Sequence, residues 1–213
     1  MKISKRLRTI AEFIPNGSKV IDVGCDHALL CIYLSLEKNC TSIATDINRH
    51  SISQAKYNIG RFNAKNITTI RTDGLEGVEV HEDDILVISG LGASTIQSIL
   101  KDKELPNTLI ISSQNDRDKL RHSVVSMGYM IKDEKYIIDN GKYYIIIMFV
   151  KGSSEYDEND YNYGPILKQN RVYLEDKIKQ FTEIMSNIDS TNEEYKEFEQ
   201  KIKGVKELLE KST

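Results

Sequence analysis

Acidic residues occur at the ends of three successive strand-like segments in the first part of the chain. Asp22 lies in the apolar run 19–24, and Asp26 follows in the turn after it. Asp46 ends the second run, and Asp73 ends the third. Parallel strands of a doubly wound sheet end at one edge, where ligands bind. We therefore expect these carboxylates to line one site.

The turn after the first strand, residues 24–27 (Gly-Cys-Asp-His), indicates which ligand this edge binds. Gly24 lets the backbone approach a ligand, but the later glycines of the G-x-G-x-x-G pyrophosphate motif are absent. Carboxylates favour a cofactor with positive charge, and S-adenosyl-L-methionine carries an ammonium and a sulfonium. The Asp46 carboxylate could accept hydrogen bonds from both ribose hydroxyls, and Asp73 could accept one from the adenine amino group. An NAD site and a plain turn with solvated aspartates remain alternatives.

Two later segments could bind the acceptor, the molecule to which a group from the cofactor is transferred. Residues 88–94 (Ile-Ser-Gly-Leu-Gly-Ala-Ser) leave room for a flat molecule, and residues 112–116 (Ser-Ser-Gln-Asn-Asp) offer amides that can pair with a base edge. The alternative is that both segments begin helices. In that case Ser94 caps the first helix, and Asn115 or Asp116 caps the second.

The elements that must position these residues alternate up to about residue 150. Strands are predicted at 19–24, 41–46, 66–71, 84–89 and 108–112, and helices at 28–36, 48–63, 94–100 and 117–127. This alternation predicts a parallel sheet with helices on both faces. Two β-rich runs, 129–138 and 143–150, flank Asn140-Gly141, a pair typical of a tight hairpin. An α/β, Rossmann-like sheet that ends in an antiparallel hairpin is the class I methyltransferase pattern.

The rest of the chain has a different character. Residues 151–163 are polar and acidic, which predicts a linker or surface loop. Two amphipathic stripes follow, at 167–188 and 195–209, separated by a turn with capping residues at 189–192. Their three- and four-residue spacing predicts a coiled-coil-like helical hairpin. We therefore predict two domains, 1–152 and 153–213. Helices packed onto the sheet as extra core are the alternative.

The composition excludes several classes of protein and site. The chain has 213 residues, with 29 Lys and Arg against 32 Asp and Glu, so the net charge of −3 excludes a uniformly basic nucleic-acid binder. No apolar run reaches the ~18 residues of a membrane span, and the N-terminus lacks a signal-peptide pattern. Three Cys and four scattered His have no disulfide or metal-site spacing. We expect a cytoplasmic protein with no metal and no membrane partner.

Basic clusters are nevertheless present locally. Arg6 and Arg8 belong to an N-terminal cluster, Arg61 belongs to a second along the predicted helix 48–63, and a third starts the tail. Such clusters can neutralise phosphates of a nucleic acid. The alternative is that they are ordinary solvated helix faces.

Several of these motifs occur together in one known family. In chain order they are Asp22-Val-Gly-Cys-Asp-His-Ala28, Thr72-Asp-Gly-Leu75, Ile88-Ser-Gly-Leu-Gly92, Gln114-Asn115, Gly128-Tyr129 and Tyr163-Gly-Pro165. The series resembles the bacterial tRNA (adenine(22)-N1)-methyltransferase family, whose signature opens with D-I-G-S-D-H-A-Y. Here Leu29 replaces the tyrosine, and no proline separates Gln114 from Asn115. The resemblance covers nearly the whole chain.

The resemblance implies a methyl transfer from S-adenosyl-L-methionine to N1 of adenine 22 in the D-arm of tRNA, with Asp26 as the catalytic carboxylate. The cofactor-binding residues expected from motif and resemblance are Asp22, Gly24, Cys25, Asp26, His27, Asp46, Ile47, Asp73, Gly74, Ser89 and Gly90. The expected substrate-binding residues are Leu29, Gly92, Gln114, Asn115, Arg6, Arg8 and Arg61. We expect a monomer or weak dimer. A methyltransferase with another acceptor and a non-catalytic RNA-binding relative remain alternatives.

Overall fold

The computed structural model describes residues 1–211 and divides the chain into two compact units, Met1–Glu155 and Tyr156–Thr213. The first unit contains five helices and seven strands among the described residues. In chain order they are α1 (Lys5–Glu12), β1 (Lys19–Val23), α2 (Leu29–Lys38), β2 (Thr41–Asp46), α3 (Arg49–Arg61), β3 (Ile67–Arg71), β4 (Ile85–Ser89), α4 (Ala93–Leu100), β5 (Thr108–Ser112), α5 (Arg117–Ser126), β6 (Tyr129–Asp139) and β7 (Lys142–Lys151).

The seven strands form one sheet in the order β3-β2-β1-β4-β5-β7-β6. β1 to β5 pair in parallel, whereas β7 runs antiparallel to both β5 and β6. At the hairpin turn, Asn140 and Gly141 have φ values of 50° and 73°, which a tight turn between twisted strands requires. The predicted Rossmann-like sheet with an antiparallel end is confirmed.

The strand interiors are buried because helices cover both faces of the sheet. One core cluster joins α1 and α2 to β1, β4, β5 and the hairpin, through residues such as Ile10, Leu34 and Val87. A second cluster joins α2 and α3 to β2 and includes Cys31 and Ala55. All three cysteines are free thiols in buried positions. Two helix-dependent clusters thus fix the strands whose ends carry the acidic residues.

A buried ion pair fastens α5 to β6. Arg121 donates to Oε1 of Glu134 from Nε at 2.9 Å, and its Nη2 lies 2.8 Å from the same oxygen. Both side chains are fully excluded from solvent. Burial of two charges is tolerated only while each compensates the other.

The second unit contains α6 (Glu158–Tyr163), a 3₁₀ turn (Leu167–Gln169), α7 (Arg171–Met185) and α8 (Glu193–Lys211). α7 and α8 pack together, with the Phe181 and Phe198 rings 5.6 Å apart. The turn between them is stabilised by Asp189, whose Oδ1 accepts from the Thr191 backbone and hydroxyl. The predicted helical hairpin is confirmed.

The prediction of a linker at 151–163 is wrong for its second half, where α6 forms. Asp157 and Asp160 build a capping box, in which each side chain accepts from the other residue's backbone N–H. Lys168 binds the same pair, with Nζ 2.7 Å from Asp160 and 3.4 Å from Asp157. The acidic residues that suggested a solvated loop therefore begin a helix.

Removal of one partner of the buried ion pair should unfold the protein more readily. Because Arg121 would keep an uncompensated buried charge, we expect Glu134→Ala to lower the free energy of unfolding by about 3–5 kcal/mol in urea denaturation. The exposed pair Arg171–Glu175 is the control, and Glu175→Ala should cost under about 1 kcal/mol. Similar losses in the two variants would contradict this account of the buried pair.

Candidate active site

The strand order reverses between β1 and β4, and a crevice opens beyond the carboxyl ends of these strands, as doubly wound sheets require. The larger opening there, called the main cavity, has a volume of about 480 Å³. It is lined by Arg6, Val23, Gly24, Asp26, Thr45, Asp46, Ile47, Thr72, Asp73, Gly74, Ser89, Gly90, Leu91, Thr95, Ile99 and Gln114.

A smaller opening, called the side cavity, has a volume of about 250 Å³. It is lined by Ser4, Arg6, Leu7, Asp22, Gly24, Cys25, Asp26, His27, Leu29, Leu30 and Ser89. Four residues line both openings: Arg6, Gly24, Asp26 and Ser89. The hydroxyl of Ser89 is buried and has no hydrogen-bond partner within the described residues. A polar wall group is thus left for a bound molecule.

The turn after β1 has a strained, tightly bonded backbone. Gly24, Asp26 and Ala28 have φ values of 75°, 48° and 53°, in the left-handed region that Asp tolerates but Ala rarely adopts. The N–H groups of Gly24 and Cys25 both donate to the carbonyl of Thr45 at 2.9 Å. Such strain persists only where surrounding contacts impose it, and it clusters at functional sites. The contacts here come from β2.

Asp46 fixes this turn from the neighbouring strand. Its Oδ2 accepts from the Asp26 N–H at 3.1 Å, and its Oδ1 accepts from the Asn48 N–H at 2.8 Å. Each carboxylate oxygen can accept a further hydrogen bond. Asp46 lines the main cavity, so a bound molecule can donate to it. The adjoining Ile47 is 61% exposed at the rim and offers an apolar surface to a flat ring. This arrangement suits a ribose with an attached base.

Asp22 differs from the other acids because it is buried in β1. Desolvation raises the pKa of its carboxyl to about 6, although a hydrogen bond from Cys31 and the charge of Arg6 act in the opposite direction. The Cys31 thiol donates to Oδ2 at 3.5 Å, and burial keeps the pKa of that thiol well above its usual value. Asp22 therefore lines the side cavity as a carboxyl that changes ionisation near neutral pH.

Asp73 and Gly74 lie together in the main cavity after β3. Gly74 has φ 56°, and a Cβ there would lie 3.1 Å from the Ile99 side chain. Its carbonyl accepts from the Thr45 hydroxyl at 3.3 Å, which ties this turn to β2. A glycine is required here by both conformation and space.

On the acceptor side, the structure separates residues that the sequence grouped together. Gln114 lines the main cavity, and its Nε2 donates to the Gly90 carbonyl at 2.6 Å. Asn115 instead accepts from the Ala93 N–H through Oδ1 at 3.1 Å, beside Gly92, so it caps α4 from the neighbouring loop. Gly92 is the N-cap, and neither it nor Asn115 lines either cavity.

The capping alternatives are therefore wrong in detail. Ser94 lies inside α4 rather than at its N-cap position. Asp116 occupies the N-cap position of α5 but makes no side-chain capping hydrogen bond, because its φ of 42° is left-handed. The cap of α4 comes from a different loop, which local sequence patterns cannot show.

All eleven predicted cofactor-binding residues line at least one of the two cavities. The main cavity brings together Gly24, Asp26, Asp46, Ile47, Asp73, Gly74, Ser89 and Gly90, and the side cavity adds Asp22, Cys25 and His27. Among the predicted substrate-binding residues, Leu29 lines the side cavity and Arg6 lines both. Arg8 is exposed on α1, and Arg61 ends α3, packed over the Phe62 ring; neither lines a cavity.

Sequence reasoning missed several cavity residues, among them Thr45, Thr72, Leu91, Thr95 and Ile99. Thr45 and Thr72 directly precede two of the predicted acids, so their position at strand ends could have indicated them. Thr95 and Ile99 lie one turn apart on α4 and reach the cavity through the packing of that helix. Across residues 1–211, there is neither a cluster of metal-ligating side chains nor a helix able to cross a membrane.

The ionisation of Asp22 should make stability depend on pH. The pKa of Asp22 in the folded protein, about 6, exceeds the ordinary value of 3.8. The contribution of this carboxyl to the free energy of unfolding is therefore complete below about pH 4 and is lost as the pH rises through 6. Asp22→Asn removes this dependence. We measure the unfolding free energy of the variant minus that of the parent protein at each pH. This difference should rise by roughly 2–3 kcal/mol from about pH 4 to pH 7.5. A difference between the proteins that stays constant with pH would contradict the buried ionisation.

Comparisons with known proteins place this chain in a family. A model described as a methyltransferase domain matches residues 3–147. The tRNA (adenine(22)-N(1))-methyltransferase of Bacillus subtilis is 30% identical, over 99% of this chain and 94% of that protein.

Solved structures of similar proteins cover both units of the chain. M. capricolum TrmK in complex with S-adenosyl-homocysteine is 31% identical, with a TM-score of 0.84 over 99% of each chain. Streptococcus pneumoniae Sp1610 in complex with S-adenosyl-L-methionine is 28% identical, with a TM-score of 0.87 over 98% of this chain and 100% of that one. By sequence identity and coverage, this chain belongs to the tRNA (adenine(22)-N1)-methyltransferase family.

Proposed function

We propose that this protein transfers a methyl group from S-adenosyl-L-methionine to N1 of adenine 22 in tRNA. The observation that carries the proposal is the arrangement of three strand-end carboxylates, Asp26, Asp46 and Asp73, around one cavity in a member of this family. When bound, S-adenosyl-L-methionine supplies an electrophilic methyl group on a sulfonium.

The residues present fit this cofactor. Asp46 has acceptor capacity for ribose hydroxyls, with Ile47 beside it for the base, and Asp73 with Gly74 forms a second polar end for the adenine. The Gly24 backbone and the partnerless Ser89 hydroxyl face the part of the cavity left for the methionine moiety. Glycine at 24 and 74 keeps the backbone in left-handed conformations that other residues resist.

Asp26 is the proposed catalytic residue. It lines both cavities, its side chain is 68% exposed, and its Oδ2 lies 3.4 Å from Nε2 of His27. Adenine N1 already carries a lone pair, so the protein needs to orient the base and exclude water rather than remove a proton. Methylation makes the base cationic, and a nearby carboxylate stabilises the charge that develops. Asp26 can also accept from the exocyclic amine.

The target adenine must leave its stack to reach this site, at a cost of a few kcal/mol. We propose that Leu29 and Gln114 contact the flipped base, since they line the side and main cavities respectively. Gly92 and Asn115 act indirectly, because they shape the start of α4 beside the site. Ser89 and Gly90 occupy the wall between cofactor and base.

The tRNA is large enough to contact surfaces outside the cavities. We propose that Arg8, exposed on α1, and Arg61, at the end of α3, bind its phosphates, and that residues 153–213 form a second contact surface. In the tail, Arg171 pairs with Glu175 at the surface, and the exposed Lys179 pairs with the buried Asp176. An exposed pair such as Arg171–Glu175 is weak and can exchange for a phosphate contact. A monomer or weak dimer in the cytoplasm, where tRNA is modified, completes the proposal.

The two alternatives are a methyltransferase with another acceptor and a non-catalytic RNA-binding relative. Incubation of the protein with labelled cofactor and a tRNA, followed by nucleoside analysis, distinguishes them. We expect labelled 1-methyladenosine with the natural tRNA and no label when adenine 22 is replaced by guanine. Another labelled nucleoside would support the first alternative, and absence of label in any acceptor would support the second.

Asp26 provides the test of the catalytic assignment. Asn accepts the same left-handed backbone, so Asp26→Asn should preserve the fold and S-adenosyl-homocysteine binding. We expect the methylation rate to fall by roughly 100-fold or more, because the charge that stabilises the cationic product is lost. Asp26→Ala should behave likewise if it folds. Asp83→Asn, which removes an exposed charge before β4, is the control. A normal rate in Asp26→Asn would exclude the assignment.

Arg8 tests the proposed contacts with phosphate. We expect Arg8→Gln to weaken tRNA binding and to reduce the slope of log affinity against log salt by about 0.7–0.9, the change for one phosphate contact. Affinity for S-adenosyl-homocysteine should not change. Lys101→Gln removes a comparable exposed charge, at the end of α4, and should leave the slope unaltered. Equal slopes for Arg8→Gln and the parent protein would refute the contact.

A further inference from the structure

Arg6 differs from the other members of the N-terminal basic cluster because its side chain enters the site. It lines both the main and the side cavity, whereas Arg8, two residues later on α1, lines neither. A Cβ added to Gly90 would lie 3.4 Å from Arg6 Nη1. The guanidinium therefore occupies the space that the missing side chain at position 90 leaves open.

The charges around Arg6 are mainly acidic. Asp26, Asp46 and Asp73 line the main cavity, and Asp22 lines the side cavity. Arg6 is the sole Lys or Arg among the residues that line these two cavities. It is half-buried, and within the described residues no carboxylate forms an ion pair with its guanidinium. Its five donors are thus available to a ligand.

The hairpin at the end of the sheet holds Arg6 in this position. The guanidinium lies 5.2 Å from the ring centroid of Tyr144 in β7, a cation–π contact. The backbone N–H of Arg6 donates to Oδ2 of Asp139, the last residue of β6, at 3.0 Å. Two contacts from one hairpin therefore fix the start of α1 and the direction of its arginine.

We propose that Arg6 binds the carboxylate of the methionine moiety of the cofactor and that Tyr144 is its positioning residue, an inference that rests on the proposed function. An amino-acid moiety carries one ammonium and one carboxylate. The aspartates that surround the site can bind the ammonium but repel the carboxylate. Arg6, like Gly24, lines both cavities, and a guanidinium binds a carboxylate through paired hydrogen bonds. A role for Arg6 as an ordinary phosphate contact does not explain its position inside the site.

Two ligands that differ only in the amino-acid part test this proposal. S-adenosyl-homocysteine carries the carboxylate and ammonium, and 5′-methylthioadenosine retains the adenosine and thioether without them. In calorimetric titrations of the full chain, we expect Arg6→Gln to lower S-adenosyl-homocysteine affinity roughly tenfold or more. Affinity for 5′-methylthioadenosine should not change. Lys101→Gln, which removes an exposed positive charge that lines neither cavity, is the control and should leave both affinities unaltered.

Tyr144 variants test the positioning role. Tyr144→Phe keeps the aromatic face and should retain the parent affinity for both ligands, whereas Tyr144→Leu should weaken S-adenosyl-homocysteine alone. A merely structural effect would lower both affinities together. Arg6→Lys, which keeps the charge but not the planar fork, should give an intermediate loss and provides a second variant if Arg6→Gln does not fold.

Three results would overturn the inference. One is an unchanged S-adenosyl-homocysteine affinity in Arg6→Gln, and another is an equal loss for both ligands. The third is a loss of tRNA affinity and salt dependence without loss of S-adenosyl-homocysteine affinity, which would assign Arg6 to phosphate. Failure of the parent protein to bind S-adenosyl-homocysteine would overturn the proposed function as well. Binding by the parent with unselective losses in the variants would overturn the Arg6 inference alone.

Discussion

The site depends on the pairing of β1 with two parallel neighbours. Val23 lies opposite Thr45 of β2 and opposite Ile88 of β4, so the next residues along the three strands, Gly24, Asp46 and Ser89, reach the edge of the sheet at one level. The strand order reverses at this point, and the helices that follow diverge to leave a crevice. A change of register between β1 and β2 would separate the turn after β1 from the Asp46 carboxylate that fixes it, and a change between β1 and β4 would displace Ser89 from that turn.

Electrostatic balance is the second constraint. Four aspartates line two joined cavities, and one of them, Asp22, is buried where its ionisation opposes folding at neutral pH. Asp46 is partly compensated by two backbone N–H donors. The remaining negative charge suits a ligand with a sulfonium and an ammonium, and a reaction whose product base is cationic. The net charge of −3 thus includes acids concentrated in the site and says little about the exposed surfaces that would meet tRNA.

Sequence patterns predicted the parts of this structure that depend on local order. Strand alternation indicated the parallel sheet, Asn140-Gly141 indicated the hairpin, and the acids at strand ends indicated one cavity because topology brings those ends together. Two features depend on contacts between distant segments: Asn115 caps α4 from another loop, and Arg6 reaches the site from the N-terminal helix. A third feature is local, because Asp157 begins a helix in what resembles a linker and pairs with Asp160 three residues later. The acidic run suggested solvation because its capping geometry is invisible in composition.

The central claim is that the crevice beyond β1 and β4 binds the methyl donor with its adenosine against the acids of β2 and β3. A crystal structure of the full chain with S-adenosyl-homocysteine tests it most directly. The account predicts ligand density in the main cavity, with the ribose hydroxyls on Asp46 and the adenine near Asp73 and Gly74. Density elsewhere on the molecule, or an adenosine that contacts neither Asp46 nor Asp73, would contradict it.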